Sequence, residues 1–199
     1  MSARALQSLL HEIRGCTACA AHLPLGPRPT LRASTTATLV LVGQAPGTRV
    51  HETGIPWNDA SGRRLRCWLA LDAAVFYDER RVAIVPMGFC YPGRNANGGD
   101  RPPRPECAPL WHDDVRRHMP EIQLTLLVGS YAQAHYLGKR RKATMTATVR
   151  AWSEYLPAFL PLPHPRWRTV GWEKRNPWFA DNVLPVLRER VAAALDPER

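Results

Sequence analysis

Short apolar runs alternate with segments patterned for helices along most of the chain. The clearest run, Thr38-Leu39-Val40-Leu41-Val42, carries β-branched and leucine residues with no polar alternation. That pattern predicts a strand buried on both faces. A second continuous run, Val82-Ala83-Ile84-Val85, predicts a strand over 81–86, and further strands are expected over 123–128 and 158–162. Between them, apolar residues recur at helical spacing. Leu6, Leu9, Leu10 and Ile13 predict a helix over 3–15, and Leu65, Trp68 and Leu69 give the inward face of one over 62–71. Helices are also expected over 106–118, 130–138, 144–154 and 178–195, the last started by Asn176-Pro177. Strands alternating with helices define an α/β sandwich around a parallel sheet. At 199 residues the chain is expected to be one domain over 1–199, with 1–37 as an N-terminal helix and a Pro-rich, extended, cysteine-bearing connection.

The strand ends carry the chemistry. The first strand stops abruptly at Gly43-Gln44-Ala45-Pro46-Gly47, where glycines let the backbone turn sharply and leave amide N–H groups uncovered. The other strands run into Met87-Gly88-Phe89-Cys90, Ser130 and Pro163-His164-Pro165-Arg166-Trp167. Loops gathered at the carboxyl edge of one parallel sheet form one site. Pro56-Trp57 brings an aromatic plane near the first turn, and Gly62 precedes Arg63-Arg64-Leu65-Arg66, a basic helix start whose amides suit a phosphate. Together these features point to a nucleotide or flipped-base site.

Charge supports that reading. The formal net charge is +10, the electrostatic footprint of a nucleic-acid binder, although a solvated basic surface has the same composition. Lys139-Arg140-Arg141-Lys142 reads as a solvated loop. No apolar run has the length of a membrane span, and the N-terminal segment lacks a signal-type apolar stretch, so a cytoplasmic location is expected. In that compartment the five cysteines are metal ligands or core residues rather than disulfides. Cys16 and Cys19 form a C-x2-C pair, and Cys90 and Cys107 lie far along the chain. Four thiolates suit tetrahedral zinc or an iron–sulfur cluster, while buried structural cysteines are the plainer alternative. Cys67, beside Trp68, reads as a core residue.

Taken in order, these motifs resemble the uracil-DNA glycosylase superfamily, and most nearly its iron–sulfur branch, family four. Gly43-Gln44-Ala45-Pro46-Gly47, Gly54-Ile55-Pro56-Trp57, Gly62 and His164-Pro165-Arg166-Trp167 stand where that family carries its motifs. The resemblance implies a three-layer α/β/α sandwich around a four-stranded parallel sheet and a monomer that acts on single- or double-stranded DNA. It implies hydrolysis of the N-glycosidic bond of a flipped-out uracil or other deaminated base, with a catalytically silent nucleic-acid-binding protein as the alternative. It further implies a 4Fe-4S cluster on Cys16, Cys19, Cys90 and Cys107, with zinc as the alternative. Trp57 would stack on the base, Asn58 would assist in reading it, and backbone amides from Gln44 through Ala45 to Gly47 would hold it. His164 would hydrogen-bond the departing base, Ser61, Arg63 and Arg64 would hold phosphates, and Arg166 and Trp167 would probe the gap in the stack.

The sequence departs from the family at two positions. The acid of the first motif is replaced by Gln44, which can orient a water but cannot take its proton. Glu52 and Asp59 are the nearby acids. The family's uracil-reading Asn falls on Pro86, which has no amide to discriminate a base. These departures mark a divergent branch.

Overall fold

The computed structural model describes residues 2–96 and 98–196. Asn97, within the loop after the second strand, lies outside them. Four strands, β1 (Leu39–Val42), β2 (Val82–Ile84), β3 (Leu124–Val128) and β4 (Phe159–Leu162), form one sheet in the order β2-β1-β3-β4, all parallel. β1 is therefore central. Successive side chains of a strand point to opposite faces, and both faces are dry. Val40 and Val42 pack with α1 (Ala3–Arg14), α5 (Cys107–Arg117) and α6 (Ser130–Leu137). Leu39 and Leu41 pack with α3 (Ala60–Leu69), α4 (Ala73–Phe76), α7 (Met145–Arg150) and α9 (Leu184–Leu195). The result is the expected three-layer sandwich. Each fully buried Leu, Ile or Phe contributes about 1.5–3 kcal/mol against the entropy of ordering it.

Several elements differ from the sequence reading. Short helices α2 (Thr48–Thr53), α4 and α8 (Thr169–Arg175) were not legible, because one or two turns offer too few apolar repeats. The helix expected over 144–154 breaks after α7 into a 3-10 turn at Trp152–Tyr155. The helix expected over 178–195 opens with a π turn, Phe179–Val183, because Pro185 has no N–H to continue the α ladder. Cys67 is exposed rather than in the core. The inward stripe of α3 is Leu65, Trp68 and Leu69, and Cys67 falls outside it. The extended connection covers the edge strand: Arg32 exchanges both backbone hydrogen bonds with Ile84, at 2.9 and 2.8 Å.

The chain after β2 follows the chain after β1. Val85 N–H donates to the Leu41 carbonyl, Met87 N–H to Gly43 and Gly88 N–H to Gln44, at 3.0, 2.9 and 3.0 Å. The Gly43–Gly47 turn is thus tied to the Pro86–Cys90 segment, and both open on the carboxyl edge of the sheet.

Candidate functional site

A cleft of about 420 Å³ lies at that edge, within the usual range of ligand pockets. Gln44, Ala45, Gly47, Trp57, Ser61, His164, Arg166 and Trp167 all line it, so most of the expected site residues meet in one place. Asn58, Arg63 and Arg64 are not among its lining residues. Arg63 is exposed, and Arg64 is paired with Glu173 of α8 at 3.2 Å. At the helix start over 60–62, one of the amides that the sequence offered to a phosphate is already engaged. Asp59 caps α3, its Oδ1 accepting from the Gly62 N–H at 2.8 Å, and so occupies the amide.

Two glycines shape the cleft around Trp57. A Cβ on Gly43 would lie 2.7 Å from Cζ2 of the indole, and one on Gly62 would lie 1.7 Å from the Trp57 carbonyl oxygen. Only glycine lets the edge of the indole approach the first turn this closely. Trp57 itself has φ 57°, a left-handed conformation costing a bulky residue about 1–3 kcal/mol. Tyr77 Oη steadies it by donating to the Trp57 carbonyl at 3.3 Å.

His164 lies beside Trp57, their ring centroids 5.5 Å apart at an interplanar angle of 36°. Gly129, at φ +92°, passes behind it, where a Cβ would stand 3.4 Å from the His164 Cβ. The His164 carbonyl accepts from the Arg166 N–H at 2.8 Å and from Thr169 Oγ1 at 2.5 Å, which fixes the turn. Its Nδ1 is buried without a hydrogen-bond partner. An orphan of this kind costs about 1–3 kcal/mol, and such groups gather where function requires them. Burial, reinforced by Arg166 and opposed by Asp59, pulls the imidazole down to about 4. The ring is thereby held neutral at physiological pH. Trp167, on the same loop, is 76% exposed with the Arg168 guanidinium 5.1 Å above its ring.

Pro86 lines the cleft, where the sequence comparison expected an Asn. Its carbonyl is held by the buried His112 of α5. Pro86 O can only accept, so His112 Nε2 carries the proton and donates at 3.0 Å, leaving Nδ1 to accept from Tyr136 Oη at 2.9 Å. Burial holds His112 down at about 4 and Tyr136 up at about 12. Sequence reading missed this network, because a lone His inside a helix carries no signal of its own.

Cys16, Cys19, Cys90 and Cys107 line one small cavity beside Phe89 and Trp111. All are free thiols. The Phe89 N–H donates to Cys107 Sγ at 3.3 Å, and Arg104 pairs with Glu106 beside Cys19. Burial pushes Cys90 up to about 11 and Cys107 up to about 12. Among the described residues, no three His, Cys, Asp or Glu side chains are grouped to hold a metal ion.

The family model for the uracil DNA glycosylase superfamily matches residues 32–188, and the chain belongs to that superfamily. The matched stretch holds the cleft residues from Gly43 to Arg168 together with Cys90 and Cys107, while Cys16 and Cys19 precede it. Membership points to DNA glycosylase activity in general and to DNA as the partner. Among the described residues, no helix is long and apolar enough to cross a membrane.

Proposed function

We propose that the protein is a DNA glycosylase that hydrolyses the N-glycosidic bond of uracil, or of another deaminated base, flipped from DNA. The observation that carries this reading is the Trp57–His164 pair, an aromatic plate and a neutral imidazole facing one glycine-walled cleft. A base inside a duplex hides its glycosidic bond and must leave the stack to be reached. Trp57 offers a stacking surface, worth about 1–3 kcal/mol per base. As the bond breaks, negative charge gathers on the departing base. The neutral His164 meets that charge with an N–H, helped by backbone amides of the Gln44–Gly47 turn. Trp167, exposed on the same loop, fills the gap in the stack, and Arg166 and Arg168 beside it meet the phosphates.

The same reading assigns the four cysteines a 4Fe-4S cluster. Four free thiols around one cavity, one already receiving a backbone N–H, are the donor set that such a cluster takes. The cluster's contribution is structural: Cys16 and Cys19 would join the N-terminal connection to Cys90 and to the start of α5.

The test uses anaerobically purified protein and end-labelled oligonucleotides carrying one uracil, hypoxanthine, xanthine or thymine opposite guanine, with a single-stranded set. Alkali-labile sites at uracil or another deaminated base support the proposal. Tight DNA binding with no cleavage at any base contradicts it and favours a silent binding protein.

A further inference from the structure

The cleft lacks a carboxylate at Gln44, yet the loop after β2 brings one in from another part of the chain. The residues flanking Asn97, 93–96 and 98–101, pair back on each other. Arg94 and Asp100 pair as an antiparallel bridge, the Arg101 N–H donates to the Gly93 carbonyl at 2.8 Å, and Arg101 Nε donates to the Arg94 carbonyl at 3.1 Å. Gly98 and Gly99, at φ +77° and +84°, allow the reversal. The loop is fastened to the first motif by Gln44, whose Nε2 donates to the Arg101 carbonyl at 3.2 Å. Gln44 is therefore committed to holding the loop. The neighbouring residue, Asp100, lines the cleft with its Oδ2 3.6 Å from where a Cβ of Gly47 would stand.

Two acids reach this edge of the cleft, and they differ in what they are already doing. Asp59 Oδ1 is engaged by the Gly62 N–H as the cap of α3. The Asp100 side chain accepts no hydrogen bond among the described residues, and only its backbone carbonyl is used, by Asn95 Nδ2 at 3.4 Å. Desolvation raises the Asp100 carboxyl above the usual aspartate range, with Asp59 adding to the rise and Arg94 opposing it. A carboxylate placed there is free to bind a water and is a better proton acceptor than an exposed aspartate.

We propose that Asp100 holds the attacking water of the glycosylase reaction and takes its proton, while Gln44 acts as the positioning residue that sets the Asp100 loop. The proposal rests on the glycosylase reading. In the step, the bond between the anomeric carbon and the base nitrogen breaks and its electron pair leaves with the base, which His164 stabilises. The water oxygen bonds to the anomeric carbon, and the water proton passes to the Asp100 carboxylate and then to solvent. The products are an abasic sugar and the free base.

Single-turnover cleavage of the base that the wild type excises tests this, with DNA affinity and thermal midpoint measured in parallel. Asp100→Asn is expected to slow cleavage about 10²–10⁴-fold with affinity within a few-fold of wild type. Asp100→Glu is expected to recover part of the rate. The wild-type rate should fall on the acid side through the Asp100 ionisation, and that limb should vanish in Asp100→Asn. Wild-type cleavage with an undiminished Asp100→Asn rate overturns the proposal alone. A lowered rate that keeps the wild-type pH profile, or that merely follows a lost thermal midpoint, also overturns it. A wild type that cleaves no deaminated base removes the glycosylase reading and this proposal with it.

Discussion

Trp57 and His164 are in ring contact at the carboxyl edge of the sheet. Their ring centroids lie 5.5 Å apart, Gly43 leaves room for the indole on one side, and Gly129 backs the imidazole on the other. The Gly43 turn and the loop after β4 therefore meet at this contact.

Removing the plate tests the stacking role. Trp57→Ala is expected to weaken binding of DNA carrying a flipped base by about 5- to 150-fold, the equivalent of about 1–3 kcal/mol. Gly43→Ala should have a similar effect with the Trp retained, because the new Cβ would displace the indole from 2.7 Å. Fluorescence titration with abasic or uracil-containing oligonucleotides measures both. Unchanged affinity and turnover in both variants would remove Trp57 from the site.

Acid should loosen the fold before the carboxylates titrate. His112 and His164 are both held down at about 4, whereas an unfolded histidine titrates near its ordinary 6.5. As pH falls below about 6.5 the unfolded chain binds these protons first, so stability present above that pH is lost progressively down to about 4. Each depressed unit corresponds to about 1.4 kcal/mol. Urea unfolding at pH 7.5 and pH 5 is expected to show a lower midpoint at pH 5, and His112→Gln should reduce that difference. A midpoint independent of pH across this window would contradict the burial of both rings as neutral groups.

The cysteines separate by position. Protein made anaerobically is expected to show broad visible absorption, lost on replacing any of Cys16, Cys19, Cys90 or Cys107 by Ser. Cys67→Ser should retain it, since that thiol is exposed on α3, away from the shared cavity. A colourless protein containing zinc would contradict the cluster assignment and keep the ligand set.

The fold was legible wherever burial and periodicity agree. β1 reads directly as Leu39-Val40-Leu41-Val42 because both faces of a central parallel strand are dry. Trp57 and His164 were legible because glycine and proline mark the turns that carry them. Asp100 was not. It sits in a polar loop with no periodicity, and its place in the cleft arises from backbone pairing with Arg94 and from the Gln44 hydrogen bond to Arg101. Asp59 was legible as a nearby acid, but its capping role was not, because a side-chain cap shows only once the helix start is fixed. Cys67 misled for a similar reason. An apolar neighbour does not place a residue on the buried stripe when the helix phase differs.

The most direct measurement of the central claim separates base release from DNA binding in one variant. Single-turnover excision of uracil by wild type and His164→Ala is compared with the affinity of each for a non-cleavable abasic analogue. The account predicts a rate about 10²–10³-fold lower in His164→Ala with nearly unchanged affinity, because a neutral imidazole is expected to stabilise charge that exists only as the bond breaks. Excision at the wild-type rate, or a loss confined to affinity, would contradict it.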